Sequence, residues 1–326
     1  MLGNHKDASH LMTAQRILAL FLSTCLVGCS SLTTRPVSPA KSQVVCSQAE
    51  LFKINKNNLV PDQNMDHIKG LDLSKQSVNT ANILGVTPLL SSWSTLSNTR
   101  SGSETKRLAL RQQIIEKITL ANLEVSAALA YIDCEGERTD QLRDRLQRHE
   151  TKRIERLTLA SIIVGAGTVV SAGVLALTGA ATAGNIVSIA GGSSEAGLSV
   201  YAFRNREIGE INHQNNMLQE VWDGPGEQSY FPPVVWRYLN SPAETNSPLT
   251  VRDALKAEWQ TDELIGKPDS EVAQRRMAQL FSTGGEYSLD DLRAREGMQD
   301  LLEARISMFN QRLARLLREF LNTPQK

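Results

Sequence analysis

A chain of 326 residues with 35 basic and 35 acidic side chains has no surplus of either sign. That balance excludes a general nucleic-acid binder, which needs a basic excess to meet phosphates. With 41% apolar but only 5% aromatic residues, the chain can bury a core as one large domain or two smaller ones.

Residues 1–28 read as an export signal and are set aside from fold reasoning. Arg16 supplies a positive start, "ILALFLSTCLVGC" supplies a short apolar run, and Leu26-Val27-Gly28-Cys29 closes it. Met12 offers a second start, since "MTAQRILALFLSTCLVGC" holds every part of such a signal by itself. The closing four residues resemble the lipobox of bacterial lipoproteins. The resemblance covers the signal alone, and no family motif marks the rest of the chain. It implies cleavage before Cys29, acylation of its thiol and amine with palmitate-type chains, and anchorage in a bilayer. Several chains hold far more firmly than one, at roughly 0.8 kcal/mol per buried methylene. Ser30 stands where an Asp would favour inner-membrane retention, so the resemblance implies the outer membrane, with the domain facing the periplasm. Cleavage leaves 33 basic and 34 acidic residues, still neutral.

Residues 29–44 are polar and contain Pro, as expected of an anchor and flexible tether. Cys46 and Cys134 are the two cysteines beyond the anchor. In an oxidising compartment they allow a single intramolecular bridge with no thiol left over. The alternative is two unrelated buried thiols. Two isolated cysteines do not make a metal site.

A helical domain is expected over 45–222. "NKNNLVPDQN" reads as a loop, and "TANILGVTPLLSSWSTLS" as one or two short helices. Ser101-x-x-Glu104 fits a capping box. Leu108, Ile115, Ile118, Asn122, Val125, Leu129 and Ile132 then form a heptad-like seam, with Asn122 inside it. Residues 135–156 hold 13 charged side chains in 22 and no Pro, so a solvated helix can run on directly into the apolar stretch after it. Lys152, Arg153 and Arg156 stand at its end, placed to meet anionic headgroups.

From Leu157 to Phe203 the only formal charge is Glu195. Leu157–Leu177 as a helix spans about 31 Å, close to a hydrocarbon core of roughly 30 Å. A turn around "TGAATAGN" and a return arm ending at Arg204 and Arg206 outline an apolar hairpin over 157–203. Of its 47 residues, 28 are Gly, Ala, Ser or Thr, which favours close helix approach and places the segment near the insertion threshold. Gly165, Gly167, Gly173, Gly179, Gly184 and Glu195 are the candidate residues for membrane or partner contact. Glu195 is costly at bilayer depth unless paired or facing water.

Residues 223–248 are rich in Pro and Gly and read as a linker or a long ordered loop, ringed by Trp222, Tyr230, Phe231, Trp236 and Tyr238. The C-terminal region, 249–326, carries start signals at Thr250-x-x-Asp253, at Asp269 or Ser270, and at Ser288-x-x-Asp291. Gly266 and Pro268 stop the first of these helices, and Gly284-Gly285 break the chain. In the last helix Leu302, Ile306, Phe309, Leu313, Leu316 and Phe320 step by four and three, a second seam. The fold class expected is all-α: an elongated bundle of long amphipathic helices with a Gly/Ala-rich apolar hairpin.

No constellation points to catalysis. His67, His149 and His213 lie far apart, Gly165-x-Gly167 lacks a third Gly and a preceding strand, and no phosphate loop, zinc-protease pair or nucleophile elbow is present. The expectation is a non-enzyme with no cofactor, no metal and no small-molecule substrate, whose partners are the membrane, other proteins or copies of itself. Three readings of the hairpin stay open. It contacts membrane or partner subunits in an envelope assembly, or it inserts as the tip of a protein similar in outline to α-helical pore-forming toxins, or it is the core of a lipid-tethered periplasmic bundle.

Overall fold

The computed structural model describes residue 46 and residues 51–61, 68, 71–97, 104–177, 208–212, 216–244, 247–261, 264–267 and 269–323; at 97, 164, 167, 168 and 170–177 it describes the backbone alone. The chain is all-α, with eight α-helices among these residues and two short antiparallel strand pairs. In chain order the elements are β1 (Phe52–Lys53), α1 (Lys75–Leu84), α2 (Thr87–Ser97), α3 (Glu104–Leu177), β2 (Ile208–Asn212), α4 (Met217–Asp223), β3 (Gln228–Ser229), α5 (Pro233–Leu239), α6 (Val251–Thr261), α7 (Glu271–Leu280), β4 (Gly284–Ser288) and α8 (Leu289–Leu321).

Local signals set most of the boundaries. Ser74 caps α1 by accepting from the Ser77 N–H at 3.3 Å, and Gly85 ends it in the left-handed conformation (φ 68°). Thr250 Oγ1 accepts from the Asp253 N–H at 3.0 Å, and Ser270 Oγ from the Ala273 N–H at 3.1 Å. At the start of α8 both halves of a capping box form between Ser288 and Asp291. Ser101 lies outside the described residues.

The core is built on α3 and α8. The α8 seam is as expected: Leu302, Ile306, Phe309, Leu313, Leu316 and Phe320 are all buried. The α3 seam is half as expected: Ile118, Val125 and Ile132 are buried, and the other expected positions are not. Asn122 and Leu108 are exposed, and Ile115 and Leu129 are only half-buried. The buried line is Ile114, Ile118, Ala121, Val125, Ala128, Ile132, Glu135, Thr139 and, further on, Leu146. These steps of four and three also describe a heptad seam, with small Ala side chains buried at 121 and 128. Each fully buried Ile, Leu or Phe contributes about 1.5–3 kcal/mol.

Smaller helices close the sides of this pair. Trp93 of α2 meets the Phe320 ring edge-on at 5.3 Å between centroids. Within the expected linker or loop over 223–248 the chain forms a helix, α5, and much of that helix is core. Phe231, Trp236 and Tyr238 are fully buried, the Trp236 indole donates to Ser229 Oγ at 2.7 Å, and Tyr238 stacks on Phe309 at 4.5 Å. Strand pairing, which the sequence pattern does not announce, joins β1 to β3 and β2 to β4. Gly284 makes the second pairing fit: its φ is 125°, and a Cβ there would lie 2.1 Å from the Ile211 carbonyl oxygen.

Candidate site for membrane or partner contact

Helix α3 runs unbroken for 74 residues, so amphipathic base, charged shaft and apolar end are one rod. Nothing in 135–156 interrupts it, because no Pro intervenes and opposite charges support the turns. Arg138 pairs with Glu135 at 2.6 Å, and Arg143 pairs with Asp140. Arg143 also reaches across to Glu296 of α8. That hydrogen bond, ahead of every other influence, holds its guanidinium pKa above the ordinary range.

The pairings fix direction and reach. Arg143 meets Glu296 near the start of α8, while Asp133 lies close enough to Glu303 to raise its pKa, after burial as the larger cause. The two helices are therefore antiparallel. Continuing that register, the start of α8 lies opposite about residue 150 of α3, and roughly 27 further residues of α3, about 40 Å, extend past it. Helix α3 is described as far as Leu177, and at Gly209 of β2 the chain lies beside Leu142 and Leu146 on the shaft.

On this outer part the sidedness changes. Leu157 is buried, and Ala160, Ser161 and Gly165 on the same face are half-covered. The opposite face presents Leu159 (60% exposed), Ile162 (58%), Ile163 (71%) and Val169 (72%). Four large aliphatic side chains exposed within three turns form a contiguous patch, unlike the scattered singles of ordinary surfaces. Lys152 and Arg156 are exposed just below them. Among the described residues no helix is long and apolar enough to cross a membrane.

Of the residues singled out from sequence, Gly165 lies on the half-covered face, and Gly167 and Gly173 lie in the backbone of α3. Cys29, Gly179, Gly184 and Glu195 lie outside the described residues, as do His67 and His213. His149 is exposed on the shaft. Cys46 and Cys134 are joined as a disulfide, with Cα atoms 5.8 Å apart, which ties the segment after the tether to the middle of α3. Among the described residues no group of three or more His, Cys, Asp or Glu is placed to hold a metal ion.

Sequence reasoning missed the polar part of the α3–α8 contact. Glu135, Thr139, Arg295 and Gln299 are all buried there. Arg295 donates to Asn216 Oδ1 at 3.4 Å, and its pKa is lowered by burial while Tyr287 and Glu135 oppose that. Both polar atoms of the Gln299 amide are closed off without a hydrogen-bond partner. The signal was present: 295, 299 and 302 continue the four-three stepping of the α8 seam upstream with polar residues. Comparison with protein-family models, with curated proteins and with solved structures returned no match to this chain.

Proposed function

We propose that this chain is a lipid-anchored protein of the bacterial cell envelope, held at the outer membrane through acylated Cys29 and facing the periplasm. It acts as a structural or assembly component. The outer part of α3 is its contact element for membrane or for partner subunits, further copies of the chain included. Catalysis has no part in this reading.

One observation carries the proposal: a single helix delivers Leu159, Ile162, Ile163 and Val169, uncovered, beyond the reach of α8, above exposed Lys152 and Arg156. Covering each aliphatic side chain is favourable by about 1.5–3 kcal/mol, so an apolar surface, protein or lipid, is the expected neighbour. The Cys46–Cys134 disulfide supports an exported chain. The test is carbonate extraction of a Cys29→Ala form with an ordinary cleavable signal in place of its own. Retention in the membrane fraction, or a stable oligomer, supports contact through α3. A form that is fully released and monomeric sinks it.

A second reading, an α-helical pore-forming protein, is favoured by the same continuity of charged shaft and apolar end. Dye release from liposomes separates the two, since a scaffold leaves the vesicles sealed.

A further inference from the structure

A second feature lies on the body of the protein, away from the outer part of α3. A cavity of about 550 Å³ opens between the 56–61 segment, the α1–α2 corner and α5. Its wall is built from Asn57, Asn58, Asn82, Thr87, Ser91 and Arg237, with Val60 and Pro88 as apolar patches. Among the described residues Arg237 is the single charged residue of that lining, and none of them places a carboxylate there. Its guanidinium is half-buried and, among the described residues, donates no hydrogen bond and makes no ion pair; its Nε is closed off without a partner. Burial lowers its pKa, and Glu124, too far away for an ion pair, is the acid that opposes this. A half-buried guanidinium with no ion pair and an unpartnered Nε–H is costly and is ordinarily met by an anion. The first turn of the eleven-residue α2, at Thr87 and Pro88, adds its positive end to the same wall.

We propose that this cavity binds a small hydroxylated monocarboxylate, of the size and polarity of a sugar acid. The guanidinium fork matches a carboxylate with two parallel hydrogen bonds. One cation balances one negative charge, which favours a carboxylate over a doubly charged phosphate. Three Asn amides and the Thr87 and Ser91 hydroxyls offer donors and acceptors to ring hydroxyls. Val60 and Pro88 offer surface for the faces of a sugar ring. The volume falls within the range of small-molecule sites, roughly 300–1,000 Å³.

The experiment is calorimetric titration of the full-length protein in detergent with glucuronate, glucose and inorganic phosphate. Saturable glucuronate binding is expected, with glucose and phosphate each at least tenfold weaker. Arg237→Gln is expected to weaken glucuronate at least tenfold at an unchanged helical circular-dichroism signal. Absence of glucuronate binding, equal binding of glucose, tighter binding of phosphate, or undiminished binding by folded Arg237→Gln overturns the proposal. Should Arg237→Gln fail to fold, Ser91→Phe fills the cavity from its half-buried wall and leaves the charge in place. Loss of glucuronate binding by that variant supports the site, and retention overturns it. The ranking of the three probes on the unaltered protein decides without any variant.

Discussion

The inner and outer parts of α3 are the same helix under opposite rules. Between residues 114 and 146 the face toward α8 buries Glu135 and Thr139 beside Ile, Val and Ala. Beyond residue 157 Leu159, Ile162, Ile163 and Val169 stand in the open. Hydrophobicity alone would reverse this assignment. What decides it is where α8 begins: a polar residue on the seam is buried because a neighbour covers it, and Leu159, Ile162, Ile163 and Val169, past Leu289's level, are exposed because none of the described elements covers them.

Predictions can strain the two parts separately. The largest effect is expected from the Cys46–Cys134 bridge, which closes a loop of 88 residues on the inner part. In the chain-entropy model its reduction costs roughly 4–5 kcal/mol. Urea unfolding with and without reductant measures this, and superimposable curves would remove the bridge from the account of the body.

Next is Asp291, fully buried at the start of α8. It accepts from Arg275 at 3.0 Å, from Arg276 at 3.2 Å and from the Ser288 N–H at 3.1 Å. Asp291→Ala removes one half of the capping box and leaves half-buried Arg276 short of its carboxylate, at a cost of about 3 kcal/mol. A melting temperature equal to the parent's contradicts that accounting.

In the opposite direction, Gln299→Leu replaces an unpartnered buried amide with an apolar side chain of similar size. A gain of about 1–2 kcal/mol is expected in chemical unfolding. A loss instead would mean that ordered water satisfies the amide.

Glu220 gives a pH test of the body. Burial raises its pKa, against hydrogen bonds from Ser229, Tyr230 and Trp236. A carboxyl raised in the fold favours the protonated form. Its stabilisation is complete below the ordinary carboxyl value of 4.5 and is lost as pH rises through the raised one. Glu220→Gln should therefore gain on the parent as pH increases from 4 to 7, followed by thermal melts. A gap that narrows over that range has the wrong sign.

The smallest effect on stability belongs to the outer part. Ile163→Ser is expected to move unfolding by less than about 0.5 kcal/mol, as at exposed positions generally. The same change should lower recovery of the Cys29→Ala form in the membrane fraction. A strongly destabilised variant would show that its own chain covers this face.

Much of the body was legible in the sequence because the signals are short-range. Ser270, Ser288 and Thr250 cap helices through side chains that act within one turn, and the α8 seam follows from helical periodicity. The α3 seam was legible in period and, at Ile118, Val125 and Ile132, in position; its second line lies one residue upstream of the expected one. Leucines at 108 and 129 and Ile115 looked like seam residues, yet alanines at 121 and 128 are buried instead. Which line is covered depends on where the partner helix lies, which no property of α3 itself encodes. The strand pairs were missed for the same reason, since two to five residues carry too little alternation and Gly284 pairs with a strand more than seventy positions upstream. The Arg237 cavity gathers residues from three separate stretches, so no local motif could mark it.

By itself the sequence determined an all-α chain, the starts of α6, α7 and α8, a shaft free to run on into the apolar end, and an N-terminus that resembles a lipoprotein signal. These rest on neighbours along the chain: caps, periodicity, the lack of Pro and the composition of one segment. Only the tertiary structure decided which face of α3 is covered, that α8 stops short of the apolar end, that Arg295 and Gln299 are buried, and that Arg237 is the one charged group among the described residues of a cavity wall. Each of those depends on distances between elements far apart in sequence, and packing sets those distances.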